Sequence, residues 1–437
     1  MAQLRYYDVT SNTWLPMSAV GPQGTQGFQG AQGVSTSTSA PADTTLLWLN
    51  TASAGIGTQG PQGFQGPSGG AQGAQGATAV ISQSTAPANT SVVWLDTSTS
   101  VTGIATSTYN AAYKNAVLNG AFDIWQRGTS FNPPTYAIAY NADRWCGDTR
   151  ADAATNYTVS RITTSSTLPT GFQYGMRLQR TNASTAYSGC FFAQSIETAN
   201  SIPLAGQTVV LSFWARAGAN FASSIGVSVT TGTGTDENLF NGYAGSATPI
   251  AVGLTPTATW TRYSYTATLS SATTEIGVSF NYNAAGTVAG ANDYFDITGV
   301  QLEIGTVATT FSRAAGTIQA ELAACQRYYL QVTSDANNAG AILSPLGTAN
   351  TTSSFYVPFL LPVTMRAVPS GTVAFANLQA VDGANSFTIT SASLAGSSNT
   401  TQVVILNIGV TGTLTQFRPY WIRSAISGGY IGFTAEL

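Results

Sequence analysis

The chain has 437 residues and no histidine. That absence removes Ser-His-Asp and Cys-His catalysis and every histidine-based metal site. Cys146, Cys190 and Cys325 are odd in number and widely spaced. They form neither a disulfide framework nor a zinc pattern, so buried free thiols are expected. Glycoside hydrolysis needs a pair of carboxylates, and three groups offer one: Asp143/Asp148/Asp152, Asp236/Glu237 and Asp293/Asp296. Most lie beside Asn or Gly, where Asp makes local backbone hydrogen bonds, so a structural use is expected and no enzymatic activity. Asp123 and Asp296 are the two carboxylates considered for a structural calcium ion. Calcium takes six to eight oxygens, and two carboxylates do not define a site; no cofactor is assigned.

Binding without a covalent step would fall to aromatic rings beside amides and hydroxyls. Sugars present apolar C–H faces ringed by hydroxyls, which suits that pairing. Tyr136 and Tyr140 sit in an Asn-Pro-Pro-Thr-Tyr-Ala-Ile-Ala-Tyr-Asn loop, Tyr187 in Ser-Thr-Ala-Tyr-Ser-Gly, and Tyr243 in Phe-Asn-Gly-Tyr-Ala-Gly. These four are the contact candidates; the alternative is that they cover their own domain or a neighbouring protomer. Trp125, Trp145 and Trp214 stand in strand-like positions and read as core.

The elements that would carry such rings follow from composition and pattern. Only 8% of residues are charged, against about 25% in ordinary soluble domains, yet 43% are hydrophobic and 11% aromatic. Real cores are possible. A net charge of −3 with one lysine, Lys114, argues against a nucleic-acid partner, which needs a basic stripe. The N-terminus lacks an apolar signal region and no run of about 18 apolar residues occurs, so membrane insertion is not expected.

Glycine recurs at every third position at Gly21, Gly24, Gly27, Gly30 and Gly33. It does so again at Gly57, Gly60, Gly63, Gly66 and Gly69, slipping to Gly70, Gly73 and Gly76. Three polyproline-II chains wound on one axis leave room there only for glycine, so these runs predict a homotrimer with collagen-like stretches. A flexible Gly-rich linker is the alternative, but a linker has no reason to keep a register of three. Between and after the runs, 37–53 repeats at 83–99, placing Trp48 over Trp94 and Pro41 over Pro87. Each copy reads as a Pro-led turn and an apolar strand, too small to bury a core alone. Three copies around an axis could do so as a trimeric β knot; a duplicated spacer is the alternative.

The expected organisation is therefore a leader over 1–20 reading strand, turn, strand, which must dock on its trimer mates or a larger particle. Collagen-like 21–33, a Trp-containing β module at 34–56, collagen-like 57–78, and a second Trp module with linker at 79–114 follow. Period-two segments such as Tyr157–Ile162, Thr208–Trp214, Glu275–Phe280 and Tyr294–Leu302 predict a jelly-roll-like β-sandwich over 115–313. A linking helix is expected at 314–330, where Ile318, Leu322 and Cys325 share a face and Thr317 can cap. A smaller C-terminal β-sandwich tip should occupy 331–437. The fold class is mainly β.

The opening MAQLRYYDVTSNTWLPM before Gly-Pro-Gln triplets resembles the virion-attachment leader of bacteriophage tail fibres. Asn119 to Thr129 with Ala142-Asp143-Arg144-Trp145 resembles the entry to the carbohydrate-binding-module-like sandwich of such fibres. Val300 to Gly305 with Ala308 to Phe311 is similar to its closing strand, and Cys325 to Tyr329 to the following helix. Leu361 to Pro369 and the last six residues resemble a C-terminal tip. The resemblance implies a structural virion component, assembled in the host cytoplasm. Residues 1–20 would hold a phage tail or other virion protein, and the C-terminal half a bacterial surface receptor, a glycan for preference. A head or other decoration fibre, and a glycan-degrading tailspike, are the alternatives.

Overall fold

The computed structural model describes six short strands within the first 100 residues, and residues 114–437 apart from 151–152, 164–167, 187, 284–286, 335–339, 374–376 and 427. The Gly-X-Y runs, with every glycine named for the trimer axis, lie outside the described residues. The chain divides into two compact units, Met1–Thr108 and Tyr109–Leu437.

In the first unit, β1 (Gln3–Asp8) and β2 (Thr13–Pro16) pair antiparallel, with Asp8 opposite Thr13. This is the expected leader hairpin. Each Trp repeat holds the expected apolar strand, β4 (Leu47–Asn50) or β6 (Val93–Asp96), and each pairs in parallel with a strand that begins just before the repeat, β3 (Val34–Ser37) or β5 (Val80–Gln83). Val34 opposite Leu47 repeats as Val80 opposite Val93. The hairpin also has a partner within its own chain. β1 pairs with β6 of its own chain, Leu4 opposite Leu95, which supplies the third strand an isolated hairpin lacks.

The second unit starts with an antiparallel sandwich. Its strands are β7 (Ser130–Phe131), β8 (Ala139–Tyr140), β9 (Cys146–Thr149), β10 (Tyr157–Ile162), β11 (Gly175–Arg180) and β12 (Cys190–Ile196). Then come β13 (Thr208–Ala217), β14 (Ser224–Gly232), β15 (Ala247–Leu254), β16 (Thr261–Thr268), β17 (Glu275–Asn283) and β18 (Tyr294–Ile304). One sheet runs β16-β13-β18-β11-β10-β7 and the other β15-β14-β17-β12-β9-β8. Alternate residues meet in one core, including Leu211, Phe213, Val227, Val278, Phe280 and Ile297. In β18 the core residues Phe295 and Ile297 are followed by Val300 and Leu302, an odd step that strict alternation forbids. A register shift opposite Ser212/Trp214 absorbs it, at Gly299 with φ +64°. This is a bulge, and it keeps both ends of the strand facing inward. Trp145 is fully buried and stacks on Phe192 at 5.2 Å, with Phe122 at 5.3 Å. Trp125 is also core, while Trp214 is half-buried on the outer face.

The Asn119–Trp125 segment closes the sandwich. The Asn119 side chain bonds the backbone of Ile124 both ways and donates to the Asp143 carbonyl. Gly120 lies so close to β18 that a Cβ would stand 2.1 Å from the Val300 oxygen. The helix Ile318–Gln326 follows, capped by Thr317 Oγ1 accepting from Ala320 N at 3.2 Å. Its buried face is not the expected Ile318-Leu322-Cys325 stripe. Ile318 is exposed, and Glu321 and Cys325 are buried, because the Glu321 carboxylate accepts from the backbone N–H of Asn119 and Ala315. All three cysteines are buried and free, and burial pushes their thiols up.

The expected second sandwich is instead a closed barrel beside a small sheet. β20 (Gly347–Ala349), β21 (Ser354–Leu360), β25 (Val403–Val410), β24 (Ser386–Leu394), β23 (Leu378–Val381) and β26 (Pro419–Ser424) close on themselves. β19 (Tyr329–Thr333), β27 (Tyr430–Thr434) and β22 (Ser370–Val373) form the separate sheet. The long β24 makes closure possible. It pairs β23 through Ser386–Thr388, then β25 from Ile389, with a register shift at the crossing. Closure removes the free edges that a small sandwich would expose.

A buried polar seam joins barrel to sandwich. Glu436 meets Arg127 at 2.9 Å and also bonds Arg144. Arg366 donates to the carbonyls of Ala435 and Glu436 and pairs Asp236 at 3.1 Å. Arg127 stacks on Tyr329 at 3.5 Å and Arg144 on Tyr328 at 3.6 Å. Glu436→Gln should cost about 3–5 kcal/mol in denaturant unfolding, because two buried guanidiniums lose their carboxylate. Arg418→Ala, which breaks the more exposed Asp382 pair, should cost under about 1 kcal/mol.

Asp143 accepts from Gln126, and burial pushes its carboxyl up to about 6 against the pull of Arg127. A raised folded value means its contribution is greatest below the unfolded value near 3.8 and is lost as pH rises through about 6. The stability of Asp143→Asn relative to the parent should therefore improve by about 2.4 kcal/mol from pH 4 to pH 7; equal slopes would place the group's folded value near normal.

Candidate functional site

The sheet β15-β14-β17-β12-β9-β8 turns its inner face to the core and leaves an outer face with two parts. One part is covered. The segment after β14 folds back over it: Leu239 N–H donates to Ser195 Oγ. A Cβ on Gly277 would meet Leu239 at 2.8 Å and the Tyr243 hydroxyl at 2.9 Å. The chain's last residues cover the β8 side, where Tyr140 and Asn238 both donate to the Leu437 carbonyl at 2.9 Å.

The other part is open. Cross-strand register puts Asp148, Phe191, Asn281, Gly226 and Gly253 in one row across the sheet. Phe191 is half-buried, and the Arg150 guanidinium lies 4.2 Å over its ring, a cation–π contact. Asp148 is buried, 3.6 Å from Arg150 Nε, and burial raises its carboxyl while Arg150 opposes the shift. Asn281 Oδ1 is itself buried and has no hydrogen-bond partner. In the next row Ser228 and Ser279 share a hydrogen bond of 2.6 Å. At the β15 end a Cβ on Gly253 would meet nothing within 4 Å. The result is a surface with an aromatic ring and fixed polar groups at one end and bare backbone at the other. It can take a flat, hydroxylated ligand by stacking and hydrogen bonding.

The structure sorts the four tyrosines. Tyr136 is 72% exposed with φ +51°, and its N–H donates to Thr149 of β9 at 3.0 Å, beside Asp148. An exposed ring on left-handed backbone costs on the order of 1 kcal/mol and does no packing in return. Tyr140 and Tyr243 reach the same sheet face, but as its cover. Tyr140 is half-buried under the last residues and Tyr243 is 6% exposed against Gly232 and Gly277. Burial pushes both phenols up. Both are engaged by their own domain, the alternative open for them in the sequence: Tyr140 on β8 and Tyr243 in the segment after β14. Tyr187 lies outside the described residues.

Phe191, Arg150 and Asn281 escaped sequence reading. The available signal was Cys190-Phe191-Phe192, apolar on consecutive positions where one face should be wet. The carboxylate groups go to structural partners. Asp293 accepts from Tyr282 and pairs Arg180, Asp236 pairs Arg366, and Glu237 accepts from Ala244 N–H. Asp296 is held between Arg177 and Arg216, and Asp123, which is not in a strand, pairs Arg313. The two carboxylates considered for calcium are thus engaged. Among the described residues no three His, Cys, Asp or Glu side chains stand close enough to share a metal.

No family model and no curated protein matches the chain. Solved structures similar to it include the enzymatically active domain of tailspike protein 4 from bacteriophage CBA120. It is 14% identical with TM-score 0.27 over 44% of this chain, and only 22% of the tailspike chain is covered. A family 4 carbohydrate-binding module is 18% identical with TM-score 0.28, over 43% of this chain and 98% of its own. A family 16 carbohydrate-binding module is 15% identical with TM-score 0.23, over 33% and 84%. Likeness at these scores carries no weight for ligand or activity.

Two glycines test the geometry. Gly253→Thr should change stability by less than about 1 kcal/mol, since the space is open and the position is a strand. Gly120→Ala should cost more than about 2 kcal/mol by driving β18 from the entry segment. Equal losses in urea melts would contradict the placement of both.

Proposed function

We propose that the chain is a homotrimeric bacteriophage fibre that attaches the particle to a bacterial surface glycan without cleaving it. The observation that carries the reading is the open row Asp148-Phe191-Asn281 with Arg150, running onto the bare Gly226-Gly253 end. The exposed Tyr136 and the half-buried Phe191 match the C–H faces of sugars, and the half-buried Arg150, Asn281 and Ser228 match their hydroxyls. Gly-X-Y spacing over 21–33 and 57–76 supports three chains wound together, with the Trp repeats as β modules that set the register. Three weak sites on one assembly then gain by avidity. Residues 1–20 would seat the fibre on a tail or other virion protein. The sandwich, rather than the barrel, is assigned the receptor.

The full-length protein should sediment at three times its 45.1 kDa chain mass and bind immobilised lipopolysaccharide or capsular polysaccharide from a strain panel. Phe191→Ala and Gly253→Trp should each weaken that binding at least about tenfold, the loss of roughly 1.4 kcal/mol expected from one stacking contact, with no reducing sugar released. Unchanged binding in both variants would remove the face from the mechanism. Released oligosaccharide would make the protein a tailspike hydrolase. No binding across the panel would leave a structural virion fibre.

A further inference from the structure

Strand β21 is apolar on both faces. Phe355, Val357 and Phe359 fill the barrel, while Tyr356, Pro358 and Leu360 face outward and are exposed, Leu360 by 79%. β25 extends the outward set, with Ile405 opposite Pro358 and Val403 opposite Leu360. The flanks are Asn407 opposite Tyr356, Thr348 on β20, and Ser393 on β24. The band carries no charge. Strands apolar on both sides are covered on both sides, and continuous exposed apolar surface of this kind marks an interaction site. Pro358 removes a main-chain donor, which favours side-chain packing over strand addition.

We propose that this band is the surface on which the barrels of three copies of this chain converge. The proposal rests on the three-chain reading of the Gly-X-Y runs. Chains joined there hold their barrels at high effective concentration, so a modest apolar area is enough to close the contact. An uncharged band also suits three identical surfaces, because like charges would repel across the axis.

The test uses the full chain with Leu360→Cys, and with Ala384→Cys as control on the exposed hairpin across the barrel, each treated with a short bismaleimide. Cys146, Cys190 and Cys325 are at most 1% exposed and stay unreactive. Leu360 lies outside the barrel core, so its replacement leaves folding intact. The expected result is a trimer by sedimentation in which Leu360→Cys, and not Ala384→Cys, yields covalent dimers. A trimer with no cross-link above the control overturns this surface and leaves the stalk standing. A monomer overturns both.

Discussion

Glu436 is the residue on which the second unit depends. Its carboxylate lies between Arg127 and Arg144, both sandwich residues, while it follows β27 of the small sheet beside the barrel. Buried ions are costly to desolvate, and the cost is offset only when each lone pair and N–H is used. Here the offset is partial: Arg144 also donates to the Ser195 carbonyl and stacks on Tyr328, and Arg127 stacks on Tyr329, but Arg127 Nη1 and Arg144 Nε have no hydrogen-bond partner. In a chain with 8% charged residues, several of the few charges sit in this seam rather than on the surface.

The seam also shapes the outer face of the sheet β15-β14-β17-β12-β9-β8. By pinning the last residues across Tyr140 and Asn238, it covers the β8 side of the outer sheet. The segment carrying Leu239 and Tyr243 covers the middle. What remains open is the row around Phe191, so the site's limits are set by a domain junction and not by the sandwich strands alone.

The opposite sheet shows how the same few charges serve packing. Asp296, wholly buried, is shared by Arg177 and Arg216, and each guanidinium lies over an aromatic ring, Tyr294 at 3.4 Å and Trp260 at 5.1 Å. These three residues are cross-strand neighbours on β11, β18 and β13. A carboxylate in a last strand can suggest a metal ligand, yet two arginines opposite it in register supply its counter-charge.

Much of this architecture was legible because it is local. Period-two alternation marked β10, β13, β14, β17 and β18 nearly to their ends, and Thr317 announced the helix start. Apolar and polar residues leave that imprint wherever one face is wet. Tyr140 and Tyr243 stayed open between contact and cover because a loop residue's exposure depends on what the loop folds against, which neighbours in sequence do not record. Closure of β20 to β26 was hidden for a related reason: a sandwich and a barrel use the same alternating strands, and only the long-range pairing of β24 with both β23 and β25 separates them. The chain by itself determined strand phase, the helix cap and the threefold glycine register, all properties of near neighbours. Only the tertiary structure decided which rings are walls, which face is open and which carboxylates are paired, because those depend on groups brought together from hundreds of residues apart.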